Sequence, residues 1–108
     1  MDAKRLGEFE ELILLAILRL EADAYAVTIQ QCIVRHGRRP ATMGAIYTGL
    51  DRLERKGMVT SALGAPTPQR GGRPKRFYHV TGVGKAALVE ARQVRERMWE
   101  GLSPNFSG

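Results

Sequence analysis

The sequence holds one cysteine, Cys32, so no intrachain disulfide can form and no thiolate cluster can bind zinc. An isolated thiol of this kind is expected to act as a small core hydrophobe. Long apolar runs are missing as well. Residues 12–18 are the most apolar stretch, far short of the roughly 20 residues that a membrane span requires. With the charged start Met1-Asp2-Ala3-Lys4-Arg5, this predicts a soluble cytoplasmic protein with no membrane partner. Histidine is scarce: His36 and His79 stand apart, which argues against a metal site, and nothing in the sequence calls for a cofactor. The acidic residues Glu8, Glu10, Glu11, Asp51 and Glu54 read as exposed helix positions without histidine companions. Neither metal-assisted hydrolysis nor an activated nucleophile is therefore expected, and the chain is not read as an enzyme.

Positive charge is what the chain has in excess. Its 108 residues carry 17 lysines and arginines against 11 acidic groups, a formal net charge of +6. That balance favours a polyanionic partner, nucleic acid before an acidic membrane surface. A single domain of this length buries only about 60 to 70% of its unfolded surface, so a partner subunit would help it.

Periodicity lays out the elements. From Glu8 to Leu20, Phe9, Leu12, Ile13, Ala16, Ile17 and Leu20 fall at helical spacing and predict helix 1. Leu14, Leu15 and Leu18 widen the apolar surface beyond one stripe, which predicts that a second subunit covers them. Asp23 is expected to cap helix 2, with Ile29, Cys32 and Ile33 inward and Gly37 ending it. After the basic linker Arg38-Arg39-Pro40, Thr42 is expected to cap helix 3. Its inward residues are Ile46, Leu50 and Leu53, and Gly57 is its stop.

Two short strands follow, residues 58–63 and 75–80, the second alternating with Tyr78 and Val80 on one face. They make a hairpin around the proline- and glycine-rich residues 64–74. Thr81 is expected to cap a last helix reaching about Leu102, with Ala87, Leu88, Ala91, Val94, Met98 and Leu102 as its stripe. No internal repeat interrupts this order. The fold class predicted is mainly α with a small β-hairpin (α+β), a winged helix-turn-helix running helix, helix, helix, strand, wing, strand, helix. Residues 1–82 form the DNA-binding part, 83–102 a dimerisation helix of the same compact unit, and 103–108 a frayed tail.

A helix that enters a DNA major groove needs an apolar back and small or hydrogen-bonding residues near its start. Helix 3 offers Thr42, Met43, Gly44, Thr48 and Arg52, although an ordinary amphipathic helix with a solvated face looks similar. The loop behind it tips the balance, because Arg70, Arg73, Lys75 and Arg76 place four cations within seven residues. Each could neutralise a phosphate and make binding salt-dependent. Arg70-Gly71-Gly72-Arg73-Pro74 is also similar to the minor-groove AT-hook core, with one glycine too many.

Three stretches carry a closer likeness: residues 25–29 (YAVTI), 44–59 (GAIYTGLDRLERKGMV) and 72–81 (GRPKRFYHVT) followed by Gly84 and Leu88. Together they resemble the PadR-like winged-helix transcriptional regulators, from about Glu8 to Leu102. Ala24 stands where the family has glycine, and the wing is richer in proline. The resemblance implies that Tyr47 reaches the DNA backbone and that the last helix pairs with its counterpart and with helix 1 of a second copy. It further implies a homodimer that represses transcription at a pseudo-palindromic site on double-stranded DNA. Trp99 is expected to anchor the dimer contact; paired tryptophans there would alternatively line a pocket for a small aromatic effector. The competing reading of the whole is a winged-helix protein-interaction module without specific DNA binding.

Overall fold

The computed structural model describes residues 5–65 and 74–102. Helices α1 (Glu8–Leu20), α2 (Ala26–Gly37) and α3 (Met43–Arg55) precede a hairpin of β1 (Val59–Leu63) and β2 (Arg76–Val80), and α4 (Gly82–Trp99) closes the order. This is the winged helix-turn-helix arrangement expected from the periodicity. The strands pair antiparallel, with Val59 opposite Val80 and Leu63 opposite Arg76. A third backbone link comes from Ala24, whose carbonyl accepts the Tyr78 N–H at 2.9 Å. Ala24 does this at φ −92°, a conformation open to any residue, so no glycine is required there.

The core is shared by all three leading helices and the hairpin. Ile13, Leu14, Ile29, Ile46, Leu50, Leu53, Met58 and Val59 are fully buried, each contributing about 1.5 to 3 kcal/mol of transfer free energy. Cys32 lies in this cluster as a small apolar group. Leu14 departs from expectation: it is 0% exposed and belongs to the protomer's own core, not to an outer face. The reason is that α2, α3 and β2 all pack on α1, so its covered arc is wider than a single stripe. Leu15 and Leu18, by contrast, remain exposed at 42% and 40%.

Three helix ends also differ from the sequence expectation. Asp23 does not cap α2 but lies in a one-turn 3-10 segment, Glu21–Asp23. Tyr25 takes the cap position, and its backbone N–H donates to Thr28 Oγ1 at 3.0 Å, half of a capping box. At the other end Gly37 is still helical, and Arg38 adopts the left-handed conformation at φ 53°. Such a residue costs about 1 to 2 kcal/mol relative to glycine. Similarly, α4 stops at Trp99, with Gly101 at φ 83°, so Leu102 lies beyond the helix.

The end of α3 is a Schellman turn. The Gly57 N–H donates to the Glu54 carbonyl at 3.0 Å and the Met58 N–H to the Leu53 carbonyl at 2.9 Å, with Gly57 at φ 75°. Leu53 and Met58, both fully buried, supply the accompanying apolar contact. Thr42 and Thr81 cap α3 and α4 as expected, each accepting from the third backbone N–H beyond it at 3.1 Å.

One acidic residue expected on a surface is buried. Glu10 is 7% exposed and accepts from the Gly7 N–H at 2.9 Å and from Lys56 Nζ at 2.7 Å. Burial raises the pKa of its carboxyl, but the Gly7 N–H, Lys56 and Arg52 outweigh this and hold the value below the ordinary one of 4.5. A carboxylate depressed on folding adds stability above its unfolded pKa and loses it as the pH falls through the folded value. Thermal midpoints of the wild type should therefore drop on acidification below pH 4.5, more steeply than those of Glu10→Gln; parallel curves would contradict the assignment. Close packing sets a second expectation. A Cβ on Gly84 would stand 2.4 Å from the Met58 carbonyl oxygen and 2.8 Å from a Val80 methyl. Gly84→Ala should lower unfolding free energy by about 1 to 3 kcal/mol in denaturant titrations, while Gly82→Ala, which meets nothing within 4 Å, should not.

Candidate nucleic-acid interface

α3 presents its polar side outward because Ile46, Gly49, Leu50 and Leu53 are taken by the core. Gly49 is the closest approach: a Cβ there would stand 2.4 Å from Ile13 Cδ1, so α1 and α3 pack nearly backbone to side chain. Gly44, Ala45, Tyr47, Thr48, Asp51, Arg52 and Arg55 are exposed on the opposite side. The space above Gly44 is open, which lets another molecule approach the backbone. Tyr47 is 57% exposed. Asp51 and Arg55 are bound to each other at 2.9 Å, one turn apart. Thr42 and Met43 also serve the fold. The Thr42 hydroxyl oxygen is used as the cap, and Met43 is half-buried against the core.

The basic hairpin divides into two parts. Arg70 and Arg73 lie outside the described residues. Lys75 and Arg76 are exposed but already engaged. Lys75 Nζ sits 4.4 Å from the centre of the Tyr25 ring and donates to its hydroxyl at 3.3 Å. Phe77 meets the same ring edge-on at 5.6 Å between centroids. Arg76 donates to Ser61 Oγ at 3.1 Å, and Ser61 in turn donates to the Glu54 carboxylate of α3 at 3.1 Å. The base of the hairpin is thereby tied to both α2 and α3, the helices that flank the turn.

Two cations beside α3 were not singled out by sequence reasoning, Arg5 and Lys56. They line the same groove as Gly44, Ala45, Thr48 and Arg52. Nothing in their spacing signals this, because Arg5 precedes the first helix and Lys56 follows the third.

A second surface lies between α1 and α4. Arg95 clamps the helices by a fork to both Glu11 oxygens at 2.6 and 2.9 Å. Beside it runs an open groove of about 840 Å3 whose apolar lining is Leu15, Leu18, Leu88, Val89 and Trp99. Ala87 and Leu88 pack on the core and Ala91 is half-buried, whereas Val94, Met98, Trp99 and Leu102 are 40%, 74%, 52% and 54% exposed. Val89, at 56%, joins them. Among the described residues no three histidine, cysteine or acidic groups converge as a metal site would require. No described helix is long and apolar enough to cross a membrane.

The model of the PadR-like transcriptional regulator family matches residues 14–90, from the middle of α1 to the middle of α4. The chain belongs to this family. It is 36% identical over 88 residues to the transcriptional regulator Rv3488 of Mycobacterium tuberculosis, covering 78% of this chain and 76% of that one. Among solved structures, it resembles a PadR-like transcription factor from Bacteroides fragilis with TM-score 0.70 and 27% identity over 87% of this chain and 85% of that one. A PadR-like regulator from Bacillus cereus aligns with TM-score 0.68 and 26% identity over 83% and 82%.

Within this PadR-like chain, Tyr25 is the residue on which the hairpin base rests. Replacing it with leucine removes a cation–π contact of about 0.5 to 1 kcal/mol and an edge contact of about 0.5 to 1.5 kcal/mol. Tyr25→Leu should lose roughly the sum in unfolding free energy, about 1 to 2.5 kcal/mol, and should speed amide exchange at Arg76–Tyr78. Unaltered exchange there would show that other contacts hold the hairpin.

Proposed function

We propose that this PadR-like protein is a homodimeric, sequence-specific repressor that binds a pseudo-palindromic operator in double-stranded DNA, in the compartment that holds the chromosome. The observation that carries this reading is α3 itself: a helix with its apolar side wholly buried, its Gly44–Thr48–Arg52 side outward and a basic hairpin behind it. Thr48 reads base edges, Tyr47 reaches the backbone, and Arg52 is long enough for either. Arg70 and Arg73 of the wing contact phosphates. Occupying a promoter is sufficient to block transcription.

Self-association follows from the α1–α4 surface. Leu15, Leu18, Val89, Val94, Met98, Trp99 and Leu102 are all exposed apolar side chains of α1, α4 and the turn after it, and apolar groups gathered on one surface mark an interaction face. A second copy covers them, with α4 as the main contact, and sets the two α3 helices about 34 Å apart, one turn of DNA. Trp99, one from each copy, makes the groove suitable for a flat aromatic effector whose binding is coupled to operator affinity.

Selecting bound duplexes from a random pool tests the reading: half-sites with two-fold symmetry are expected, and no enrichment would leave a protein-interaction module instead. Thr48→Ala should relax preference at one or two base pairs, by roughly 1 to 3 kcal/mol. Equal weakening on every sequence would move Thr48 to the phosphates. Leu18→Glu and Met98→Glu, both at exposed positions, should sediment as folded monomers because the charge meets an apolar seam. Dimers that persist in both would remove this surface from the interface.

A further inference from the structure

The groove between the segment leading into α1 and the outer face of α3 has a volume of about 760 Å3 and is walled by Arg5, Glu8, Gly44, Thr48, Arg52 and Lys56. Its charges divide in a telling way. Lys56 Nζ donates to Glu10 at 2.7 Å and also to the Arg5 carbonyl at 3.0 Å, and the Glu10 carboxylate accepts from the Gly7 N–H at 2.9 Å. Lys56 and Glu10 therefore neutralise each other. Glu8 is taken by Arg39 at 3.3 Å. What remains is Arg5 and Arg52, and neither enters an ion pair among the described residues.

Two arginines that line one groove without an ion-pair partner are both exposed, so core packing does not explain them. An anion between them would make two charge-assisted contacts. The Glu10–Lys56 pair has the geometry of a clamp. A mostly buried ion pair adds little net stability, but this one pins the backbone at Arg5 and Gly7 to the end of α3. It thereby fixes the backbone of residue 5 on the groove that Thr48 and Arg52 also line.

We propose that this groove is a phosphate site filled by a backbone phosphodiester of the duplex that α3 reads, with Arg5 and Arg52 as its shared donors and the Glu10–Lys56 pair as the positioning element. The site rests on the DNA-binding reading above and adds to it the chain ahead of α1. It assigns Arg52 to the backbone and leaves base reading to its neighbours.

The test uses the full chain and an operator duplex selected as above. Arg5→Ala keeps the carbonyl that Lys56 binds, so the clamp survives the substitution. The Arg5→Ala/Arg52→Ala double variant should lower the slope of log affinity against log salt by about 0.9, one phosphate's worth, and weaken all duplexes alike by roughly tenfold at 0.1 M salt. The single variants should be non-additive, since both lose the same partner. A scan of uncharged methylphosphonate linkages should find one position per half-site that weakens the wild type and leaves the double variant unchanged. An unaltered slope, additive singles, or no such position overturns the shared site while the DNA reading stands. A wild type that binds no duplex overturns both.

Discussion

Gly57 and Met58 hold three elements at once, and the geometry of the whole protein follows from that turn. Gly57 closes α3 in the left-handed region, and Met58 drops back into the core against Leu53 before β1 begins. The backbone carbonyls of the same two residues then receive α4: the Gly57 carbonyl accepts the Thr81 hydroxyl at 2.6 Å, and the Met58 carbonyl accepts the Thr81 N–H at 2.9 Å. Gly84 lets α4 lie directly on that carbonyl. Helix α3, the hairpin and the last helix are consequently set relative to one another by backbone contacts, which tolerate little play.

Around that turn the cations have separate duties. Lys75 and Arg76 brace the hairpin against Tyr25 and against the Ser61–Glu54 pair, and Lys56 braces the approach to α1. Arg39 lies 5.0 Å over the Phe9 ring and pairs with Glu8, steadying the link between α2 and α3. Part of the net positive charge is thus spent inside the protein. The share left for a polyanion is smaller than composition suggests, and Arg5 and Arg52 are the part of it that lines the groove beside α3.

The two ends of the helical layer face different tasks. On one side α3 is backed by a complete core and turns polar groups outward; on the other, α1 and α4 meet through Glu11 and Arg95 and leave apolar side chains uncovered. A chain this short cannot bury everything apolar that it carries. The remainder lies on α1 and α4, away from the polar side of α3, so the self-association proposed above leaves that side open.

Helix and strand positions were legible because they depend on nearest-neighbour chemistry: apolar spacing of 3.6 or 2 residues, threonine caps at Thr42 and Thr81, and a glycine stop at Gly57. The family motifs around Gly44–Val59 and Arg73–Thr81 were legible for the same reason, being short and local. The tertiary structure alone decided that Leu14 belongs inside, that Tyr25 and not Asp23 begins α2, and that Glu10 is buried with Lys56. It alone put Arg5 and Arg52, which lie 47 positions apart in the sequence, on the wall of one groove. Each of these depends on which elements pack together at long range, and periodicity along one chain carries no information about a neighbour's identity or distance.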